Sequence, residues 1–273
     1  MYEKAVPSSL PWTGKLAAAK TAGYDFVEMS IDETEEKLSR LDMSAAERMY
    51  FLNVTQVTGM PVRSICLSGH RKYPLGSSDC DTERKSLVIM EKAVRLAADL
   101  GIRIIMLPGY DVYYEQSDSD TKRRFEINLA KCVDMAARES ILLGFETMET
   151  PFMDTVRKAV QYVGLINSPY LAVYPDLGNI TNSSCLYGSD AADDLQYGSG
   201  HILAVHVKET LPGKYREVPF GTGHVDFDRL LRTCWSLRVR RYVTELWYTG
   251  NDDWQLKINE ACAMVRNILD KLE

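Results

Sequence analysis

Four residues of metal-binding type stand at the ends of four successive apolar runs: Glu146 in "GFETMET", Asp176 in "AVYPDLGN", His206 in "AVHVKET" and Glu245 in "YVTELWY". Each lies about one strand-helix repeat from the next, so four neighbouring strands each offer one ligand to a common centre. Three carboxylates and an imidazole suit a divalent ion such as Mn²⁺, Zn²⁺, Co²⁺ or Mg²⁺, and so oxygen-rich a set argues against a thiolate-type site. Taken singly, a carboxylate at a strand end has an ordinary explanation as a helix N-cap or a salt-bridge partner. Four at matching positions ask for a common cause, because a carboxylate kept where a buried strand emerges is costly unless something binds it.

Two-residue alternation along a strand puts Lys208 on the face of His206 and Trp247 on the face of Glu245. A lysine and an aromatic wall beside a metal suit an anionic or sugar ligand, although Lys208 could equally pair with Glu245. The loop "SGHRKYPLGS" brings His70, Arg71 and Lys72 between glycines. Such a cluster can hold a phosphate through charge-assisted hydrogen bonds, or be a solvated basic loop. "YDVYYE" (110–115) could wall the same pocket or pack elsewhere. His201 precedes its strand and falls on the face opposite the site, while His224 lies in a loop at the correct end. No G-x-G-x-x-G or Walker motif and no nucleophile elbow occur, which disfavours nucleotide cofactors and Ser or Cys nucleophiles.

Positioning these groups requires strands. Seven apolar runs qualify: 24–30, 62–68, 102–109, 141–147, 170–176, 202–208 and 240–246. Between them lie segments of helical spacing such as 83–101, closed by Gly101, and 123–139. Alternating strands and helices build a parallel sheet, and runs this continuously apolar suit a sheet covered on both faces or closed into a barrel. The expected fold is α/β, an eight-stranded (β/α)8 TIM barrel over residues 1–273 as one domain, with an abbreviated first strand supplied by "MYEKAV". An open doubly wound sheet is the alternative. In such a barrel the C-terminal strand ends carry the active site. The stretch 181–200 reads as a long polar loop over one barrel end.

The chain's length, its hydrophobic share of 45% and its charged share of 26% are those of a soluble globular protein. A net charge of −6 leaves no electrostatic footprint for nucleic acid. Neither a signal peptide nor eighteen consecutive apolar residues occur, so no membrane partner and a cytoplasmic protein are expected. The six cysteines form no C-x-x-C pair and read as reduced thiols, Cys66 as core.

Together "YEKAVP", "FVEMSIDETEEKLSRLD", "CLSGHRKYPLGS", "GYDVYY", "YPDLGN", "HVKET", "VPFG" and "VDF" resemble the L-ribulose-5-phosphate (L-xylulose-5-phosphate) 3-epimerases of ascorbate and pentose catabolism, within the xylose-isomerase-like barrels. The resemblance runs from Tyr2 almost to the C-terminus. It implies one divalent metal held by two glutamates, an aspartate and a histidine, which fall on Glu146, Asp176, His206 and Glu245. It implies an isomerase that inverts C3 of a pentulose 5-phosphate through an enediolate, with Glu146 and Glu245 as the acid-base pair. His70, Arg71, Lys208 and Asn179 are expected at the substrate, and a homodimer is expected. Family members usually begin several residues earlier, have a shorter loop after Asn179, and carry a glutamate where Thr222 stands; the last two bear on substrate preference. An aldose-ketose isomerase and a non-catalytic sugar-phosphate-binding barrel are the alternatives.

Overall fold

A computed structural model describes residues 1–272. The chain runs α1 (Trp12–Thr21), β1 (Val27–Ser30), α2 (Glu35–Leu38), α3 (Ala45–Thr58), β2 (Val62–Cys66), α4 (Cys80–Asp99), β3 (Ile104–Pro108), α5 (Ser119–Arg138), β4 (Leu142–Glu146), α6 (Val156–Ile166), β5 (Leu171–Tyr174), α7 (Leu177–Tyr187), α8 (Ala191–Tyr197), β6 (Val205–Val207), α9 (Phe227–Ser236), β7 (Tyr242–Thr244) and α10 (Trp254–Leu269). Strands β1 to β5 pair in parallel in sequence order, and β6 pairs in parallel with β7. Single bridges from Val173 to Ile202 and from Asp176 to His206 join β5 to β6.

The remaining gap, between β7 and β1, is filled by the first two residues. Tyr2 donates its N–H to Thr244 at 3.0 Å, and Met1 accepts from the Glu28 N–H at 2.8 Å. Both side chains are buried. The expected abbreviated first strand is therefore a single bridge at Tyr2, and with it the ring has eight positions.

Side chains alternate across the strands. Ile65, Ile105, Leu143, Phe145, Val173, Val205 and Val207 pack outward against the helices, whose buried faces supply residues such as Ile89, Val94, Phe125 and Leu129. The inward positions hold Cys66, Ile104, Met106, Tyr174 and Val243. Mixed among these are Glu28, Ser64, Glu146 and His206, all buried. Gly144 makes room here: a Cβ on it would lie 3.1 Å from that of Tyr174.

The stretch 181–200 is not the expected loop. It forms the greater part of α7 and all of α8, and the physical signals are caps. The Asp176 carboxylate accepts the Asn179 N–H at 2.7 Å, Gly188 ends α7 at φ 61°, and Asp190 accepts from Ala192 and Asp193 at 2.9 and 3.0 Å. The inner face of α7 is made of Asn179, Asn182, Ser183 and Ser184 as well as Leu177 and Ile180. Its hydroxyls turn back on the helix's own carbonyls, Thr181 to Leu177 and Ser183 to Ile180. A buried face this polar hides the helical period.

An ion cluster outside the barrel's centre fixes the N-terminal segment. The buried Glu3 carboxylate meets Lys15 at 2.8 Å, Lys37 at 2.7 Å and Arg40 at 2.5 Å. Burial opposes its ionisation, but Arg40, Lys15 and Lys37 prevail and hold it well below its ordinary 4.5. Because the folded value is the depressed one, the stabilisation is present above about pH 4.5 and is lost progressively as pH falls below it. Glu3→Gln leaves two buried lysines and the part-buried Arg40 without their counter-ion, and is expected to cost about 3–5 kcal/mol in denaturant unfolding at neutral pH. Wild-type stability falling to meet that of the variant below pH 4 checks the same point.

Among the described residues, no helix is long and apolar enough to cross a membrane, and all six cysteines are free, Cys66 in the core.

Candidate metal centre

Glu146 closes β4, Asp176 follows β5 and caps α7, His206 lies within β6, and Glu245 follows β7. One ligand atom from each lies within 4.8 Å of those from the other three, and all four residues are buried. The cap that accounts for Asp176 locally uses only one of its oxygens. Gly178 permits the tight start of α7, since a Cβ there would lie 2.8 Å from the Lys208 carbonyl. Asn179 is thereby drawn down to donate its side-chain amide to the Thr147 carbonyl at 2.7 Å.

His206 places Nδ1 2.9 Å from Glu146 Oε1 and 3.3 Å from Glu245 Oε2. The Lys208 ammonium stands 3.0 Å from Asp176 Oδ2 and 3.5 Å from Glu245 Oε2. Neither of those oxygens makes an aligned hydrogen bond. Burial pushes the Asp176 carboxyl well up, Lys208 opposing while Glu245 and Glu146 add to the rise. Glu146 is raised by burial and then by Glu245. Glu245 moves the other way, because Lys208 and His206 outweigh its burial. Two of the carboxyls are thus pushed toward their neutral forms for want of further positive charge, and two buried oxygens, Asp176 Oδ2 and Glu245 Oε2, make no hydrogen bond. That donor set fits a divalent ion of the oxygen- and nitrogen-preferring kind.

The expected substrate residues part company. Lys208 and Asn179 line the cavity above the cluster together with Arg71, Arg216, Glu149 and Trp247. The Arg71 guanidinium lies 5.1 Å from the Tyr113 ring centre and 6.0 Å from that of Tyr110, and its buried Nε has no hydrogen-bond partner. Tyr110 and Tyr113 of "YDVYYE" thus pack against Arg71 and do not themselves line the cavity, and Tyr110 donates its hydroxyl to Glu149. His70 is placed differently. Its ring is buried against α4, with Nε2 3.1 Å from the Ser86 carbonyl, and it does not line the cavity. Burial pushes its imidazole down to about 4. Its neighbours explain the misplacement: the chain turns through a 3₁₀ helix at Ser68–Arg71, and only Arg71 swings to the site. Lys72 is exposed. Thr222 is exposed too, its hydroxyl closing a turn on the Pro219 carbonyl at 2.8 Å. His224 bonds Thr210 at 3.0 Å.

Sequence reasoning missed Glu149, Arg216 and, above all, Glu28. The Glu28 carboxylate inside "FVEMS" was the available signal: its place within an apolar strand, in register with Ser30, points it into the barrel.

Residues 16–267 match the xylose isomerase-like TIM barrel family. The chain is 44% identical over 267 residues to the L-ribulose-5-phosphate 3-epimerase UlaE of Shigella flexneri, spanning 97% of this chain and 93% of that one. It is 45% identical over 262 residues to the protein of the same name from Shigella sonnei (strain Ss046), spanning 96% and 91%. Among solved structures, a D-psicose 3-epimerase determined in the presence of D-fructose superposes with a TM-score of 0.82 at 15% identity over 98% of both chains. An L-ribulose 3-epimerase superposes at 0.77 and 17% identity, over 99% of this chain and 94% of that one. At such identities the structural likeness speaks for the fold.

Proposed function

The chain belongs to the L-ribulose-5-phosphate 3-epimerase family of the xylose isomerase-like TIM barrels, an isomerase family, and from that premise we propose that it inverts C3 of a pentulose 5-phosphate, interconverting L-ribulose 5-phosphate and L-xylulose 5-phosphate. The observation that carries this reading is a pair of buried glutamates, Glu146 and Glu245, converging on one point from strands three apart.

Glu146, Asp176, His206 and Glu245 would hold one divalent ion, Mn²⁺, Zn²⁺, Co²⁺ or Mg²⁺, which supplies Lewis-acid stabilisation of negative charge on the ketose oxygens. The C3 hydrogen of a ketose is acidic because the C2 carbonyl takes up the charge. One glutamate removes that proton, and the other delivers a proton to the opposite face. Which acts first depends on the direction of reaction. Lys208, held protonated by Asp176 and Glu245 against its burial, and Asn179 contact the sugar oxygens, and the deep barrel position of the cluster limits water. Arg71, with an unpartnered Nε at the mouth, binds the phosphate through charge-assisted hydrogen bonds.

Two measurements test this. The metal-reconstituted protein, given L-ribulose 5-phosphate, L-xylulose 5-phosphate and the unphosphorylated sugars, should epimerise the phosphates by far the faster, as read by NMR. Comparable rates on the free sugars would contradict the substrate reading. Arg71→Ala should lose about 1.5–3 kcal/mol of phosphate binding, which is roughly a ten- to hundredfold rise in KM for the phosphorylated ketose. An equal loss on both substrates would mean that Arg71 supports the loop and does not read the phosphate.

A further inference from the structure

Glu28 is a fully enclosed carboxylate inside the barrel and takes no part in the chemistry above. It is 0% exposed and lies on β1, on the side of His206 away from Glu146. His206 divides its two ring nitrogens between opposite partners. Nδ1 faces Glu146 and Glu245, and Nε2 lies 2.6 Å from Glu28 Oε1. The other Glu28 oxygen accepts the Ser64 hydroxyl at 2.7 Å and the Tyr174 hydroxyl at 2.9 Å. Tyr174 also sets its ring edge-on to the imidazole, 5.1 Å between centres, in the space that Gly144 leaves open. Donors from β2, β5 and β6 thus converge on a group that can only accept. With the proton on Nε2, the three donors meet two oxygens, and an ionised carboxylate accepts all of them.

An imidazole can give a metal the lone pair of only one nitrogen, and the other must then carry the proton. The nitrogen that faces the ligand carboxylates Glu146 and Glu245 is Nδ1, so the proton belongs on Nε2, where Glu28 waits to accept it. We propose that Glu28 is the positioning residue of this centre: it fixes the tautomer and the ring orientation of His206, with Ser64 and Tyr174 fixing Glu28 in turn. This rests on the metal reading of the site. The competing explanation is an internal polar pair that serves only stability, and the two differ in what they do to the histidine.

The test needs no sugar. Metal-stripped protein is titrated with Zn²⁺ alone, and the Zn²⁺-loaded protein is examined by long-range ¹H–¹⁵N NMR of its 4 histidines. Wild type should show His206 with a protonated Nε2 and a metal-bound Nδ1. Glu28→Gln keeps the shape, but its amide can present an N–H to Nε2 and so favour the wrong tautomer. It should bind Zn²⁺ about 10- to 100-fold more weakly, the loss typical when an outer partner of a ligating histidine is removed, and should lose the wild-type nitrogen pattern. Affinity within twofold of wild type with an unchanged pattern would overturn the proposal. If Glu28→Gln fails to fold, Tyr174→Phe decides: it removes one donor to Glu28 while keeping the ring, and should weaken Zn²⁺ several-fold. Unchanged Zn²⁺ affinity there would count against the proposal. Wild type that binds no Zn²⁺ would instead overturn the metal reading itself, a failure distinct from equal binding by wild type and variant.

Discussion

Asp176→Asn is expected to leave a folded barrel that neither retains a divalent ion nor turns over substrate. The fold survives because asparagine caps a helix as well as aspartate does, so the bond from the Asn179 N–H and the start of α7 persist. The metal is lost because Asp176 Oδ2 is one of the cluster's two buried carboxylate oxygens without a hydrogen-bond partner, and an amide carries no charge to it. The drop in metal affinity should exceed the ~100-fold typical of an outer partner. The sign of the stability change is a second check. Burial and the neighbouring carboxylates raise the Asp176 carboxyl, so the metal-free fold disfavours its ionised form at neutral pH. Metal-free Asp176→Asn should therefore melt no lower than metal-free wild type. Zn²⁺ at a hundred times its Kd should then stabilise wild type by about 2.7 kcal/mol and leave the variant unmoved. A variant that still gains stability with Zn²⁺ would remove Asp176 from the ligand set.

Glu245→Gln carries the second large effect. As one of two groups that move the C3 proton, its loss is expected to slow turnover by roughly 100- to 10,000-fold, because an amide cannot exchange a proton with carbon at neutral pH. Glu245 Oε2 is also close to His206 Nδ1 and to Lys208 Nζ, so metal content must be measured in the same sample. A variant that holds stoichiometric metal and has lost turnover separates the acid-base role from the ligand role. Metal-replete Glu245→Gln with near wild-type kcat would show that the proton is carried by another group. Glu146→Gln should behave alike, since in either direction of reaction one glutamate must be protonated and the other ionised.

The strands were legible because their residues are apolar on both faces, as a closed, helix-covered barrel demands. The four converging residues were legible because each is charged or ionisable at or near the end of such a strand. Asp176 shows how the two explanations of a strand-end carboxylate can both hold: Oδ1 caps α7, and Oδ2 faces the cluster. What the sequence hid has physical causes as well. The α7 and α8 stretch looked like a loop because small polar side chains satisfied by the helix's own carbonyls can replace apolar ones on a buried face. His70 and Arg71 are adjacent in sequence, yet the helical turn they share sends one against α4 and the other to the cavity. Glu28 is separated from His206 by most of the chain, and only barrel closure brings them to 2.6 Å. Arg216 reaches Glu149 at 3.4 Å from a loop with no strand to announce its direction.

In the proposed reaction a proton leaves C3 and another returns to it from the opposite side. The most direct test is the reaction run to equilibrium in D₂O with metal-reconstituted wild type and a pentulose 5-phosphate, the product read by NMR. Carboxyl groups exchange with solvent, so the expected product carries deuterium at C3 and none at C1. Deuterium at C1, or C3 that keeps its original hydrogen, would contradict it and favour an aldose-ketose isomerase on the same barrel.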